Sequence, residues 1–250
     1  IQGSGSASPL AGENVTTTGV VTAVYDTGGL DGLVIQTPGA TVGDASHGLF
    51  VYTRNGSRAG LADLGDSVEV TGRVSEYFGQ TQLTVDSDED LVVTGAAGQV
   101  TPAPVAWPAT DEEREKLESM LLAPSGDFTV TDNYSLNQYG ELGLAAGTEP
   151  LRQPTDVGPV GSPAYEETLE QNAARGVLLD DGASLEAFGQ LVREEDVREL
   201  GVGVRAEAGP LALVGCPCGR PADRGARSTC STARPRRRSP ATGRCCGGRR

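Results

Sequence analysis

The chain predicts a mainly β fold: an OB-like small barrel, then a β-rich segment with one or two short helices, then a disordered tail. Three observations point there. Short apolar runs alternate with Gly-rich turn signals through the first hundred residues, the pattern of many short strands. Aromatic residues are few, 4% of the 250 residues, and Gly is abundant at 35 residues. The charge also divides sharply. Residues 1–200 carry nine Lys+Arg against 32 Asp+Glu, a formal −23, whereas residues 201–250 carry eleven against two, a formal +9.

The strands follow in order. Residues 14–25 are rich in Val and Thr and read as the first, closed by the turn Asp26-Thr27-Gly28-Gly29. Residues 32–37 are the second, ended by Pro38-Gly39. In 48–53, Leu49, Val51 and Thr53 point one way and Phe50 and Tyr52 the other. Residues 68–77 alternate Val68, Val70, Gly72 and Val74 against Glu69, Thr71, Arg73 and Ser75. Residues 80–85 are the fifth strand and 91–94 a sixth, with a helical turn over 61–66 before the fourth. Five or six short antiparallel strands favour closure, because a closed barrel leaves no exposed edge. The first domain is therefore placed at 1–98.

From 99 to 184 a second, connecting segment is expected. Thr101-Pro102-Ala103-Pro104 and Trp107-Pro108 mark a stiff linker, since Pro fixes φ and has no amide to donate. Thr110 caps a helix predicted over 111–121, with Asp111, Glu112 and Glu113 at its positive end. Strands are predicted over 127–131 and 141–144. Ser162-Pro163 starts a helix over 164–175 that Gly176 ends, and 177–179 is a further strand before the turn Asp180-Asp181-Gly182. Residues 185–200 read equally as an amphipathic helix, through Leu185, Phe188, Leu191 and Val192, or as disorder.

All five cysteines, from Cys216 to Cys246, lie in the tail, which also holds the run Arg234-Pro235-Arg236-Arg237-Arg238. Arg, Pro, Gly, Ala and Cys without hydrophobic period are what GC-rich DNA yields out of frame, so 185–250 is expected to be a frameshifted tail. Its cysteines lack the paired spacing of zinc sites. No stretch approaches the roughly 20 apolar residues of a membrane span, so no membrane partner is expected.

Several segments are similar to one family. Gln2-Gly3, Ser8-Pro9-Leu10-Ala11-Gly12 and Gly19-Val20-Val21-Thr22 open the match, and Gly48-Leu49-Phe50-Val51-Tyr52-Thr53 continues it. The most recognisable stretch runs from Gly65-Asp66-Ser67-Val68-Glu69-Val70-Thr71-Gly72-Arg73 through Tyr77-Phe78-Gly79-Gln80 to Leu83. Phe128-Thr129-Val130-Thr131-Asp132-Asn133-Tyr134, Tyr139-Gly140-Glu141-Leu142, Gln153-Pro154-Thr155 and Leu178-Leu179-Asp180-Asp181-Gly182 extend it to about residue 184. These resemble the N-terminal OB-like accessory region of secreted bacterial nucleases of the endonuclease/exonuclease/phosphatase type. The resemblance implies an extracellular protein whose barrel precedes a catalytic domain using a divalent metal, Mg²⁺ or Ca²⁺.

No catalytic residue is carried over, and no cofactor or metal is expected in this chain itself. Its single histidine, His47, sits in a loop without a matching acidic motif and reads as a structural or solvated residue. Asp86-Ser87-Asp88-Glu89-Asp90 has alternating carboxylates, but Leu91 and Ala97 stand where a calcium loop requires Gly and a bidentate Glu. It reads as a solvated acidic turn, with an incidental Ca²⁺ or Mg²⁺ site as the alternative.

Nucleic-acid contact, if made, would use Phe50, Tyr52, Tyr77 and Phe78 for stacking and Arg54 and Arg73 for phosphate. Arg58 is the one further cation in 1–98 and could complete a local patch. The acidic body opposes that by long-range repulsion. The function expected is a non-catalytic accessory region contacting DNA and serving the parent's catalytic domain. The alternative is a structural spacer or interaction module that binds no nucleic acid.

Overall fold

A computed structural model describes residues 1–180 and 182. Five strands close a barrel: β1 (Asn14–Tyr25), β2 (Gly32–Gln36), β3 (Gly48–Tyr52), β4 (Asp66–Tyr77) and β5 (Gln80–Thr84). Their order round the barrel is β1-β2-β3-β5-β4, and β4 returns to β1, with β3 and β5 parallel and the other neighbours antiparallel. This is the OB-like arrangement.

Closure depends on β1 serving two partners. Its first half pairs with β4 from Asn14↔Arg73 to Val20↔Ser67, and its second half with β2 from Val20↔Gln36 to Tyr25↔Gly32. An irregularity between Val21 and Ala23 turns the strand from one partner to the other. The backbone at the end of β5 lies close against β4 at Gly72, where a Cβ would stand 2.3 Å from the Thr84 carbonyl oxygen.

Inside the barrel, Val21, Leu33, Ile35, Leu49, Val51, Val68, Val70, Val74, Leu83 and Val85 form one apolar core. The alternation read in the third and fourth strands puts Leu49, Val51, Val68, Val70 and Val74 there. A sixth strand, β6 (Leu91–Ala96), extends the sheet from β4.

The helical turn expected over 61–66 lies earlier in the chain. Helix α1 (Gly56–Ala59) starts at Asn55, whose side chain accepts the Arg58 N–H at 2.9 Å. Residues 61–65 form turns instead, fixed by Gly65 at φ +89° and by the Asp63 N–H donating to the Asp66 carboxylate at 3.0 Å.

After the barrel, β7 (Ala103–Ala106) and β8 (Leu122–Ser125) make a two-stranded parallel ladder. Pro104 is accommodated because this pair has only edges. Between them, α2 (Asp111–Glu115) is shorter than the helix predicted over 111–121. Its start is as expected, a capping box of Thr110 and Glu113. Its early end has a tertiary cause: residues 117–121 turn back onto the barrel, and Ser119 takes a left-handed φ of +58°. Leu117, Met120 and Leu122 bury against Ala103.

The remaining strands, β9 (Phe128–Asp132), β10 (Leu142–Ala146) and β11 (Gly176–Leu179), form an antiparallel sheet with β10 in the centre. Helix α3 (Leu136–Tyr139) interrupts the β9–β10 connection, and α4 (Pro163–Arg175) precedes β11, capped by Ser162 as its Ser-Pro start predicts. Arg114 joins this part together. Its guanidinium donates to the carbonyls of Ala173 and Ala174 at the end of α4 and lies 5.6 Å from the centroid of the Trp107 ring. The alternatives weighed for 185–200, and the cysteine-bearing tail, lie outside the described residues.

Candidate functional site

The outward side of β2 and β3 is where small barrels of this architecture receive oligonucleotides and oligosaccharides. With Leu33, Ile35, Leu49 and Val51 turned to the core, Val34, Gln36, Phe50 and Tyr52 alternate onto this outer side. Here the side is largely filled. Phe50 is 5% exposed and packs with Ala23, Val34, Tyr25 and Tyr52. The Tyr25 hydroxyl's pKa is raised by burial and, secondarily, by the Asp180 carboxylate.

At the Gln36 end the turn 117–121 covers the sheet. Gln36 is 1% exposed, and its side-chain carbonyl accepts the Leu121 N–H at 2.7 Å. A Cβ on Gly48 would stand 2.1 Å from the Ser119 carbonyl oxygen, so the turn lies directly on the β3 backbone.

The six candidate contact residues fall in three places. Phe50 and Tyr52 belong to the apolar cluster just described, with Tyr52 half-buried. Arg54 follows β3 at φ +62° and is exposed, but its Nε pairs with Asp86. Arg73 and Tyr77 lie on one side of β4 and are exposed, and Tyr77 and Phe78 form the tip of the β4–β5 hairpin. The two tip rings meet edge to face, with centroids 4.6 Å apart, and are 60% and 68% exposed. Phe78 at φ +52° and Gly79 at φ +87° are both left-handed, as a two-residue hairpin turn of this kind requires. A bulky residue is unusual at the first of these positions.

Two of the three arginines of the expected patch already have partners, Arg54 in Asp86 and Arg58 in Asp88. Arg58 is largely enclosed: its Nη1 donates to the carbonyls of Thr53 at 2.7 Å and Val85 at 3.2 Å, and its Nε to Asp88 at 2.7 Å. Asp86 and Asp88 thus neutralise Arg54 and Arg58, while Asp90 accepts the Ser87 hydroxyl at 2.9 Å. Among the described residues no group of three or more His, Cys, Asp or Glu side chains could hold a metal. His47 is exposed in the loop before β3. No described helix is long and apolar enough to cross a membrane.

Sequence reasoning missed a buried polar seam beneath the turn 117–121. Glu118 is 4% exposed, and its Oε1 accepts the Thr81 N–H at 2.9 Å and the Gln2 Nε2–H at 3.0 Å. Gln2 also donates to the Gly48 carbonyl at 2.9 Å, and the Ser46 hydroxyl donates to the Glu118 carbonyl. Glu76 accepts the Ser8 N–H at 2.7 Å and the Thr81 hydroxyl at 2.9 Å. Burial first, then the neighbouring carboxylates Glu115 and Glu76, pushes the Glu118 carboxyl up to about 7. Burial and Glu76 likewise raise Glu115. One local signal marks the seam: Gln36 ends the otherwise apolar run Leu33-Val34-Ile35. Chemically, Glu118 is a carboxyl that can exchange a proton near neutral pH, but it is enclosed and tied to the fold rather than presented in a cleft.

In comparisons with known proteins the chain matches no family model, no curated protein and no solved structure.

Proposed function

We propose that this chain is a non-catalytic accessory region of a secreted, metal-dependent nuclease, and that its role there is structural, holding a catalytic domain in place. The observation that carries the structural role is the filled outer side of β2 and β3, where Gln36 and Phe50 are buried and the turn 117–121 lies on Gly48. A surface occupied by its own chain has no room for a stacked base. The nuclease context rests on the segment resemblance through about residue 184. In that context the Mg²⁺ or Ca²⁺ and the residues that cut belong to the parent's catalytic domain, and the protein acts outside the cell.

A second reading, in which the region contacts DNA, is favoured by one observation. Tyr77 and Phe78 stand exposed at a hairpin tip, four and five residues along from the exposed Arg73. Stacking on such rings is worth about 1–3 kcal/mol per base.

Two assays test these readings. A plasmid-nicking assay with Mg²⁺ or Ca²⁺ is expected to show no turnover, and metal-dependent nicking by this chain would refute the non-catalytic assignment. A fluorescence titration of residues 1–184 with labelled single-stranded DNA at low salt is expected to show no saturable binding. Binding that disappears in Tyr77→Ala would replace the structural role by DNA contact.

A further inference from the structure

The turn 117–121 is held to the barrel through one buried carboxyl group. Glu118 Oε1 takes hydrogen bonds from the N-terminal segment through Gln2 and from β5 through the Thr81 amide. Its own backbone carbonyl takes a third, from Ser46 before β3. Its Oε2 is buried with no hydrogen-bond partner among the described residues. The charged groups acting on it are Glu115 from the end of α2 and Glu76 from β4, both carboxylates. The ion pairs of the described residues lie elsewhere. A proton taken from solvent onto Oε2 removes the buried charge and leaves both bonds to Oε1 in place. Its return to solvent leaves an enclosed anion facing two others, which opening the turn relieves by hydration.

We propose that Glu118 is a proton-operated clasp, closing the turn 117–121 and the N-terminal segment onto the barrel when neutral and loosening them when ionised. Loosening uncovers Gln36 and Gly48, so proton concentration sets access to the Gln36 end of the outer side of β2 and β3. This holds whether or not the parent protein is a nuclease. The direction agrees with the raised proton affinity of the closed state: closure binds a proton, so acid favours it and rising pH opposes it.

Amide hydrogen exchange on the intact chain at pH 5.5 and 8.5, corrected for the intrinsic pH dependence of exchange, tests the clasp. Protection of the Thr81 and Leu121 amides is expected to fall by roughly thirty-fold between the two, the change in opening equilibrium for a carboxyl titrating near 7 closed and near 4.5 open. Amides of the β1–β4 ladder, such as those of Val68 and Val70, should stay more protected than those of Thr81 and Leu121 at both pH values, because the turn opens without the barrel unfolding. In Glu118→Gln the fall should vanish, because the amide carbonyl still accepts but cannot ionise. Unchanged protection in the wild-type chain overturns the proposal. So does protection of Thr81 and Leu121 equal to that of the β1–β4 ladder, which would mean that the turn opens only when the whole barrel unfolds, or a fall that persists in the variant. The wild-type comparison decides by itself if the variant does not fold.

Discussion

The side-chain carbonyl of Gln36 accepts the backbone N–H of Leu121 at 2.7 Å, across 85 residues of chain. Gln36 sits at the end of β2 on the outer side of the barrel, and Leu121 ends the turn lying over it. The bond joins the barrel to the segment after it at the place where a barrel of this architecture would otherwise meet a ligand.

Gly48 tests how closely the turn is packed. A methyl group there would press on the turn backbone, with the Ser119 carbonyl oxygen at 2.1 Å and the Met120 nitrogen at 2.7 Å. Gly48→Ala should cost about 1–3 kcal/mol in urea unfolding, the usual range for overpacking. An unaffected midpoint would mean that the turn stands off the strand.

Phe50 and Tyr77 should behave oppositely. Phe50 is buried among Ala23, Val34, Tyr25 and Tyr52, so Phe50→Ala should cost about 3–5 kcal/mol. Tyr77 is exposed, and Tyr77→Ala should stay within about 0.5 kcal/mol. Equilibrium unfolding of both variants checks this. It also shows why a loss of binding in Phe50→Ala would report unfolding rather than a removed contact.

Phe78 occupies a left-handed position that Asn adopts more readily, immediately before Gly79. Phe78→Asn should raise stability by about 0.5–1 kcal/mol, read as a higher thermal midpoint. If the tip binds DNA, the same variant should lose affinity while gaining stability, which would mark Phe78 as retained for contact.

Stability should also depend on pH through Glu118. Its carboxyl titrates at about 7 in the folded chain against an ordinary value of 4.5, so the folded state binds the extra proton between those limits. Stability should then fall as pH rises from about 4.5 to 7 and level off above, with this group contributing on the order of 3 kcal/mol. Urea unfolding at pH 5 and pH 8 checks the sign, and Glu118→Gln should remove most of the difference.

Much of the fold is legible in local pattern. The alternation of Val68, Val70 and Val74 puts those residues in the core, and the run 14–25 coincides with β1 to the residue. Caps were equally plain at Thr110 and Ser162. What local pattern could not carry was tertiary. The helix from Asp111 stops at Glu115 because the residues after it are drawn onto the barrel by Gln36, Ser46 and Thr81, each at least 37 residues away. The same limit applies to the candidate site. Alternation places Phe50 and Tyr52 on the outer side of β3, but Phe50 is enclosed by Ala23, Val34 and Tyr25, and the Gln36 end of that side is covered by Ser119 and Leu121. Likewise Arg54 and Arg58 read as free cations until folding brings Asp86 and Asp88 beside them. The seam of Gln2, Glu76 and Glu118 draws on three distant stretches of chain, and only the lone Gln36 in its apolar strand hints at it.

The most direct test of a barrel side filled by its own chain is the exchange rate of the Leu121 amide in the intact protein at pH 5.5. With its N–H held by buried Gln36, Leu121 should exchange at least about a hundred-fold more slowly than the exposed amides of residues 4–6. Exchange at the rate of those loop amides would mean that the side of β2 and β3 stands open, and the structural role would fall with it.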